Sequence, residues 1–187
     1  AARHAEEAVD DDLIHTLQLW LNLPKRLKET TTSYQNVLLE QAPVVTFDGG
    51  HVRVYSGEIA GVTGPLDSLV PITMSEVFLA PGATYQHLLP TNHNAFLYVL
   101  AGELEVGTSQ TRLSKTMAAT LTFDEQAAGD SSLALTAVSR TKVLIYSGQP
   151  IREETIAYGP FVMNTEDEIR QAYRDYHDGK FGPPAIL

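Results

Sequence analysis

The sequence predicts a mainly β protein of antiparallel strands, followed near the C-terminus by one helix. Two observations support this fold class. Short apolar runs, several alternating with polar residues, recur along the chain and are separated by turns rich in glycine and proline. One late segment instead has the periodicity of an amphipathic helix. Many short strands at regular spacing are typical of a sandwich or barrel, and 187 residues with 43% hydrophobic content can bury a substantial core.

The first predicted strand covers residues 13–23, where leucines alternate with mostly polar residues. Because successive side chains of a strand point to opposite faces, the leucines share one face with His15, while Trp20 lies on the other. One apolar face and one mixed face suit the wall of a small barrel. Pro24 ends this strand, and the polar residues 25–33 are predicted to form a connector.

The next predicted element is a hairpin. Residues 43–47 and 51–55 are its two predicted strands, joined by Asp48-Gly49-Gly50, and glycine supplies the positive φ that a tight turn requires. Glycine, proline and polar residues separate the apolar runs that follow. Further strands are predicted at residues 72–79, 95–100, 103–106, 117–123, 133–137 and 142–146.

The helix is predicted to begin after Thr165. This threonine is a suitable N-cap, and Glu168 three residues later completes a capping box. Gly179 ends the helix. Residues 158–164, just before it, are too apolar to stay unpacked and are predicted to form a strap across the barrel surface. The apolar stripe of the helix, which should pack on the β core, consists of Ile169, Ala172, Tyr173 and Tyr176.

Charge and composition exclude several functions. The chain has 23 acidic and 13 basic residues, a formal net charge of −10 and a pI of about 4.9, so its surface should repel phosphate backbones. Direct nucleic-acid binding is therefore not expected, although an acidic protein can bind a DNA-binding protein. The absence of cysteine excludes disulfides and thiolate chemistry. No apolar run has the length of a membrane span, so a soluble cytoplasmic protein without membrane contact is expected.

His4 and Glu6 are the first candidate metal ligands. They lie two residues apart, so on a strand both side chains would face the same side and could hold one ion. The spacing alone is also compatible with a solvated polar terminus. The residues by themselves leave both interpretations open.

Several segments carry a family resemblance. The most specific is Tyr158-Gly-Pro-Phe-Val-Met-Asn-Thr165, followed by the Lys-Phe-Gly of residues 180–182. Together with five other matching segments, this one makes the chain resemble the pirin family over nearly its whole length. The other matching segments are residues 4–6, 15–24, 52–61, 81–83 and 96–102.

The resemblance implies a bicupin, with two antiparallel β-barrels in tandem and a single iron in the first. In the family, three histidines and one glutamate hold this iron, and His4 and Glu6 match the second pair of ligands. The first pair comes from a His-x-His segment, which does not occur in this chain. We therefore expect a C-terminal portion of a pirin that lacks two of the four ligands. Fe²⁺ is expected in the complete site, and none in this chain alone.

The same resemblance predicts the domain organisation. Residues 1–42 would be the end of the N-terminal cupin, with remnant strands, and a connector. Residues 43–152 would form the C-terminal cupin barrel, and residues 153–187 the strap and helix. Truncating the first barrel would expose strand edges, so either self-association or disorder at residues 1–12 is expected.

The second barrel is predicted to lack the usual cupin metal site. The general cupin pattern would place a glutamate near Ala95, which cannot coordinate a metal, and no histidine lies between His93 and His177. His87 and His93 remain as candidate metal ligands in a polar loop that contains proline, where surface or hydrogen-bonding roles are the favoured interpretation. His51 and His177 are expected to be exposed. No catalytic residue or cofactor-binding residue is assigned.

The family implies two functions from different classes. Some pirins resemble quercetin 2,3-dioxygenases, which open a flavonol ring and release carbon monoxide, and imidazole and carboxylate ligands suit non-haem Fe²⁺. Eukaryotic pirin is instead described as an iron-dependent co-regulator of a transcription factor. Three hypotheses stay open for this chain: a fragment of a dioxygenase, a short binding or regulatory module with a protein partner, and an inactive structural remnant.

Overall fold

The computed structural model describes residues 15–121 and 128–182. Residues 35–150 form one compact unit, and the described residues within 1–34 and 151–187 form another. In the described ranges no helix is long and apolar enough to cross a membrane. The three predicted segments at residues 1–42, 43–152 and 153–187 stay a prediction.

Residues 35–150 contain two principal antiparallel sheets. A six-stranded sheet has the order β1-β2-β5-β12-β7-β10, and a four-stranded sheet has the order β6-β11-β8-β9. A short two-stranded sheet is formed by β3 and β4. The strands are β1 (Val44–Phe47), β2 (Gly50–Ser56), β3 (Glu58–Ile59), β4 (Val62–Thr63), β5 (Ile72–Leu79), β6 (Thr84–Pro90), β7 (Asn94–Ala101), β8 (Glu103–Val106), β9 (Thr111–Ser114), β10 (Ala118–Leu121), β11 (Asp130–Ala137) and β12 (Thr141–Gly148).

The core of this unit lies between the inward faces of the two large sheets. Alternate residues of β2, β5, β7, β11 and β12 are buried, as the period of two of a strand requires. The central strand β12 pairs with β5 on one side and β7 on the other, so Val143 lies between Val77 and Val99. The fully buried residues of the cluster include Val52, Val54, Val77, Leu79, Leu97, Val99, Leu104, Leu135 and Val143.

Most predicted strands are confirmed. The hairpin at the start of the barrel is formed by β1 and β2, with Gly49 at φ +79° in its turn. The bounds predicted for β5 and β8 are the bounds observed. The strands β6 and β9 occupy stretches in which no strand was predicted. For β6 this error also changes the interpretation of His87, because the polar loop expected there is a paired strand.

The strand predicted over residues 13–23 is wrong for residues 15–23, where the structure has no strand. Trp20 is 58% exposed, and Leu17, Leu19 and Leu21 are also exposed. Alternation fixes which side chains share a face, but a strand forms only beside a hydrogen-bonded neighbour. No strand of the described ranges pairs with this segment. Remnant strands of a preceding barrel are therefore absent from residues 15–42, while self-association stays a prediction.

The smaller unit contains a hairpin and a helix. Strands β13 (Ile156–Tyr158) and β14 (Phe161–Met163) pair antiparallel, and α1 (Glu166–His177) follows. The predicted strap is therefore a hairpin with its turn at residues 159–160. Tyr173 of α1 packs edge-on against Phe161, with ring centroids 5.0 Å apart. Tyr173 thus packs on the hairpin of its own unit, whereas Tyr176 is 45% exposed and its ring lies 6.1 Å from that of Phe181.

The predicted capping box of α1 is confirmed. Thr165 Oγ1 accepts a hydrogen bond from the Glu168 backbone N–H at 3.3 Å, and Glu168 Oε2 accepts one from the Thr165 N–H at 2.9 Å. The two side chains satisfy backbone donors that a helix start leaves unpaired. Lys25 Nζ lies 3.2 Å from Glu168 Oε1, and this contact holds the pKa of the Glu168 carboxyl below its usual value.

Replacing Thr165 with alanine will lower the free energy of unfolding by about 1 kcal/mol, because one donor of the helix start loses its partner. Thermal or urea unfolding followed by circular dichroism measures this change. Thr30→Ala is the control, since Thr30 is exposed in the same unit. Equal stability of the two variants would contradict the capping role of Thr165.

Candidate functional site

The two predicted metal ligands, His4 and Glu6, lie outside the described residues. Within residues 15–121 and 128–182, no group of three or more histidine, aspartate or glutamate side chains could hold a metal ion. The assignment of His4 and Glu6 therefore stays a prediction.

His87 is the most unusual polar residue of the barrel. It lies on β6, where Tyr85, His87 and Leu89 point inward and alternate with more exposed residues. Its side chain is 1% exposed, and neither ring nitrogen has a hydrogen-bond partner. Burial lowers the pKa of His87 to about 4, so the ring is neutral at pH 7. The interpretation of His87 as a loop residue with a surface or hydrogen-bonding role was wrong.

Three further buried side-chain atoms in the same unit have no hydrogen-bond partner, one of which is Nε of Arg53. Ser147, on β12, is 3% exposed, and its Oγ has no hydrogen-bond partner. Nδ1 of His93 is also buried without a partner, and burial lowers the pKa of this ring. His93 lies in the turn between β6 and β7, as the sequence predicted. Neither the composition nor the spacing of the sequence had singled out Ser147.

The other described histidines lie elsewhere. His15 is exposed. His177 is exposed as predicted, and its Nδ1 lies 2.7 Å from the Tyr173 carbonyl oxygen. His51 is partly buried rather than exposed, because its ring stacks on Phe78 at a centroid distance of 5.2 Å. The exposure predicted for His51 was therefore wrong.

The smaller unit has a polar network of its own. Lys28 Nζ donates to Asn22 Oδ1 at 2.6 Å and to the Val162 carbonyl at 3.2 Å. Asn164 Nδ2 donates to the Glu154 carbonyl at 2.8 Å. Burial lowers the pKa of the Lys28 ammonium, although nearby carboxylates oppose this shift. These contacts connect residues 22–28 with the C-terminal hairpin without creating a reactive group.

Comparison with known proteins identifies the family. Residues 74–182, more than half of the chain, match the Pirin C-terminal cupin domain. The chain belongs to the pirin family. It is 32% identical to Pirin of Homo sapiens over 180 residues, which cover 96% of this chain and 61% of that protein. It is 34% identical over 179 residues to the Pirin-like protein of Solanum lycopersicum, covering 96% of this chain and 60% of that protein.

The solved structures support the same assignment. A quercetin 2,3-dioxygenase from Acinetobacter baumannii is 33% identical, with a TM-score of 0.80 over 89% of this chain and 56% of that one. The two-sheet unit of residues 35–150 is thus a pirin-type cupin barrel. This pirin-family chain spans about three fifths of the length of the curated relatives described above.

Proposed function

We propose that the complete protein is an iron-dependent dioxygenase that acts on a flavonol in the manner of a quercetin 2,3-dioxygenase. One observation carries the proposal: the similarity to the quercetin 2,3-dioxygenase of Acinetobacter baumannii, at 33% identity and a TM-score of 0.80. Membership of the pirin family supports it. In this proposal residues 1–42 belong to the end of the iron-bearing barrel, and residues 43–152 form the second barrel.

His4 and Glu6 would hold the metal in the complete protein. An imidazole nitrogen and a carboxylate oxygen are donors that non-haem Fe²⁺ accepts, so the donor set fits this metal. When bound, Fe²⁺ supplies redox chemistry with O2. The chain has no His-x-His segment for the other two ligands. Two ligands do not make a selective site, so the 187-residue chain alone is expected to hold no stoichiometric iron.

The test uses the complete gene product that contains this chain. We expect His4→Ala and Glu6→Ala each to lower the bound iron and the quercetin turnover at least tenfold, because each removes a ligand. Iron is measured by elemental mass spectrometry, and turnover by the loss of quercetin and the release of carbon monoxide in air. His15→Ala is the matched control, since it removes an exposed histidine that is close in the sequence and should change neither quantity.

An intact parent protein that binds no metal would contradict the proposal. Quercetin turnover that survives both ligand substitutions would contradict the assignment of His4 and Glu6. A metal-loaded parent with no flavonol turnover would instead favour the regulatory role, in which a protein partner takes the place of a substrate. Stoichiometric iron in the 187-residue chain would show that the missing ligands are not needed.

A further inference from the structure

An open groove lies between the C-terminal hairpin and the helix that follows it. Its volume is about 490 Å³, within the range of about 300–1,000 Å³ that is typical of small-molecule sites. The three residues of β13 form one wall, and five residues of α1 form the other. Both walls belong to the smaller unit, so the groove lies within that unit. The structure therefore contains a space that can hold a ligand.

The walls of this groove are mainly apolar and aromatic. Ile156 and Tyr158 line it from β13, and Ile169 and Tyr173 line it from α1. The rings of Tyr158 and Tyr173 meet edge-on at a centroid distance of 5.8 Å. Tyr158 remains 66% exposed, so part of this apolar surface is open to water. An apolar ligand would remove that surface from water, which is favourable.

The groove is elongated along the helix. Its helical wall begins at Glu166 and ends at Arg174, and residues with this separation on a helix lie about 12 Å apart along the axis. Ile169 and Tyr173 lie between these two charged residues on the same face, because positions spaced by three or four residues share one side of a helix. A linear apolar tail fits this shape better than a compact molecule does.

The charges at the Glu166 end of the groove are paired with one another. Arg170 Nη2 donates to Glu166 Oε2 at 2.7 Å, and Arg170 Nη1 donates to Asp167 Oδ1 at 2.6 Å. Two carboxylates therefore surround one guanidinium, and this end repels a negative head group. An apolar tail is not subject to this repulsion.

Arg174, at the other end, has no such counter-charge. Its Nε and Nη2 groups both donate to Gln171 Oε1, at 3.2 and 2.7 Å, and this acceptor is neutral. The carboxylate of the next residue, Asp175, accepts hydrogen bonds from Gln171 and Lys180 instead. Among the residues that the structure describes, Arg174 forms no salt bridge. Its remaining N–H groups can donate to a carboxylate, the acceptor that a guanidinium matches best.

We infer that this groove binds a linear aliphatic monocarboxylate, with the carboxylate at Arg174 and the tail along Ile169 and Tyr173. The apolar walls select the tail, and the unpaired guanidinium selects the negative head group. The protein has a formal net charge of −10, so its overall field repels anions and the preference for a carboxylate depends on Arg174. This site is separate from the predicted iron site and does not rest on the proposed dioxygenase activity.

The experiment is a titration of the 187-residue protein with octanoate, followed by ¹H–¹⁵N spectra. The ligand controls are 1-octanol and octylammonium, which keep the tail and replace the carboxylate by a neutral or a positive group. We expect saturable octanoate binding that shifts the backbone signals of residues 156–158 and 169–174, and about fivefold weaker binding of both controls. The same titration is made with the complete gene product, where octanoate binding is expected to be retained.

Three variants test the roles of the two walls. Arg174→Gln should weaken octanoate binding about fivefold and leave octanol binding unchanged, because it removes the charge and keeps the size. Ala157→Phe should abolish the binding of both, since a larger side chain on β13 fills the groove. Arg26→Gln is the matched control, because Arg26 is an exposed arginine of the same unit outside the groove, and it should change neither affinity.

Backbone spectra and melting temperatures check the fold of each variant, and Arg174→Gln carries the test if Ala157→Phe does not fold. Equal affinity for octanoate and octanol would overturn the inference, and so would octanoate binding that Arg174→Gln does not weaken. Binding without saturation, or with shifts mainly outside residues 151–182, would also overturn it. A complete gene product that does not bind octanoate would show that another part of that protein covers the groove, with the same consequence. No outcome requires iron, so the proposed dioxygenase activity is tested separately.

Discussion

Replacing Gly102 with alanine will destabilise the barrel by about 4 kcal/mol, the sum of backbone strain and a steric clash. Gly102 lies between β7 and β8 at φ +78°, a conformation that residues with a Cβ rarely adopt. A Cβ at this position would overlap the carbonyl oxygen of Arg140 and lie 2.7 Å from Thr141 Oγ1. Thr141 Oγ1 donates to the Glu103 carbonyl at 2.8 Å, so the clash also disturbs a hydrogen bond of the core.

Gly107 provides a matched control for this substitution. It has φ +71°, but a Cβ there would meet no atom within 4 Å. Gly107→Ala therefore introduces the backbone strain without the clash and should cost about 1 kcal/mol. Chemical unfolding of both variants, with the midpoint and the slope fitted separately, measures the difference. Equal losses in the two variants would show that the packing of Gly102 against Arg140 contributes nothing.

The sequence predicted those parts of the barrel that depend only on residues close together in the chain. The apolar run of β5 and the glycine turn before β2 are local features, and both were confirmed. Strand β6 was missed because Gln86, His87 and Pro90 resemble a polar loop. Tyr85, His87 and Leu89 do alternate with Thr84, Gln86 and Leu88, and this period of two was the signal that could have identified the strand.

The failure at residues 13–23 has a different cause. The alternation there is as regular as in the observed strands, yet the structure has no strand at residues 15–23. Pairing depends on a neighbouring strand, which the segment itself does not encode. The burial of His87 depends on pairing in the same way. Its cross-strand neighbour Leu133 belongs to β11, which is far from β6 in the sequence, so the sequence around His87 did not predict the burial. The candidate iron ligands His4 and Glu6 were assigned through the resemblance to pirins.

The stability of the barrel will fall by about 3 kcal/mol between pH 7 and pH 4 because His87 is buried as a neutral ring. Its pKa is about 4 in the folded protein against an ordinary value of 6.5, which we take for the unfolded chain. Between these values the unfolded state binds a proton that the folded state does not. The free energy of unfolding therefore decreases as the pH falls through this window. Below about pH 4 His87 contributes no further decrease.

His87→Leu isolates this contribution, because leucine is apolar and cannot titrate. We expect the variant to lose most of the dependence on pH between 6.5 and 4, as measured by urea unfolding at a series of pH values. Tyr85, whose ring lies 5.7 Å from that of His87, does not titrate in this window, since burial raises its pKa further. His93 will contribute a smaller change of the same sign, because burial also lowers its pKa.

The control is His177→Gln, which removes an exposed histidine and should retain the dependence of the wild-type protein. Hydrogen bonds from Lys25 and Lys180 lower the pKa values of the Glu168 and Asp175 carboxyl groups. These carboxylates therefore stabilise the fold less as the pH falls through their pKa values in the folded protein. This loss begins near the ordinary carboxyl pKa and is common to all the variants. A His87→Leu protein whose stability still falls by about 3 kcal/mol between pH 6.5 and pH 4 would show that groups other than His87 cause the loss, and would contradict the prediction.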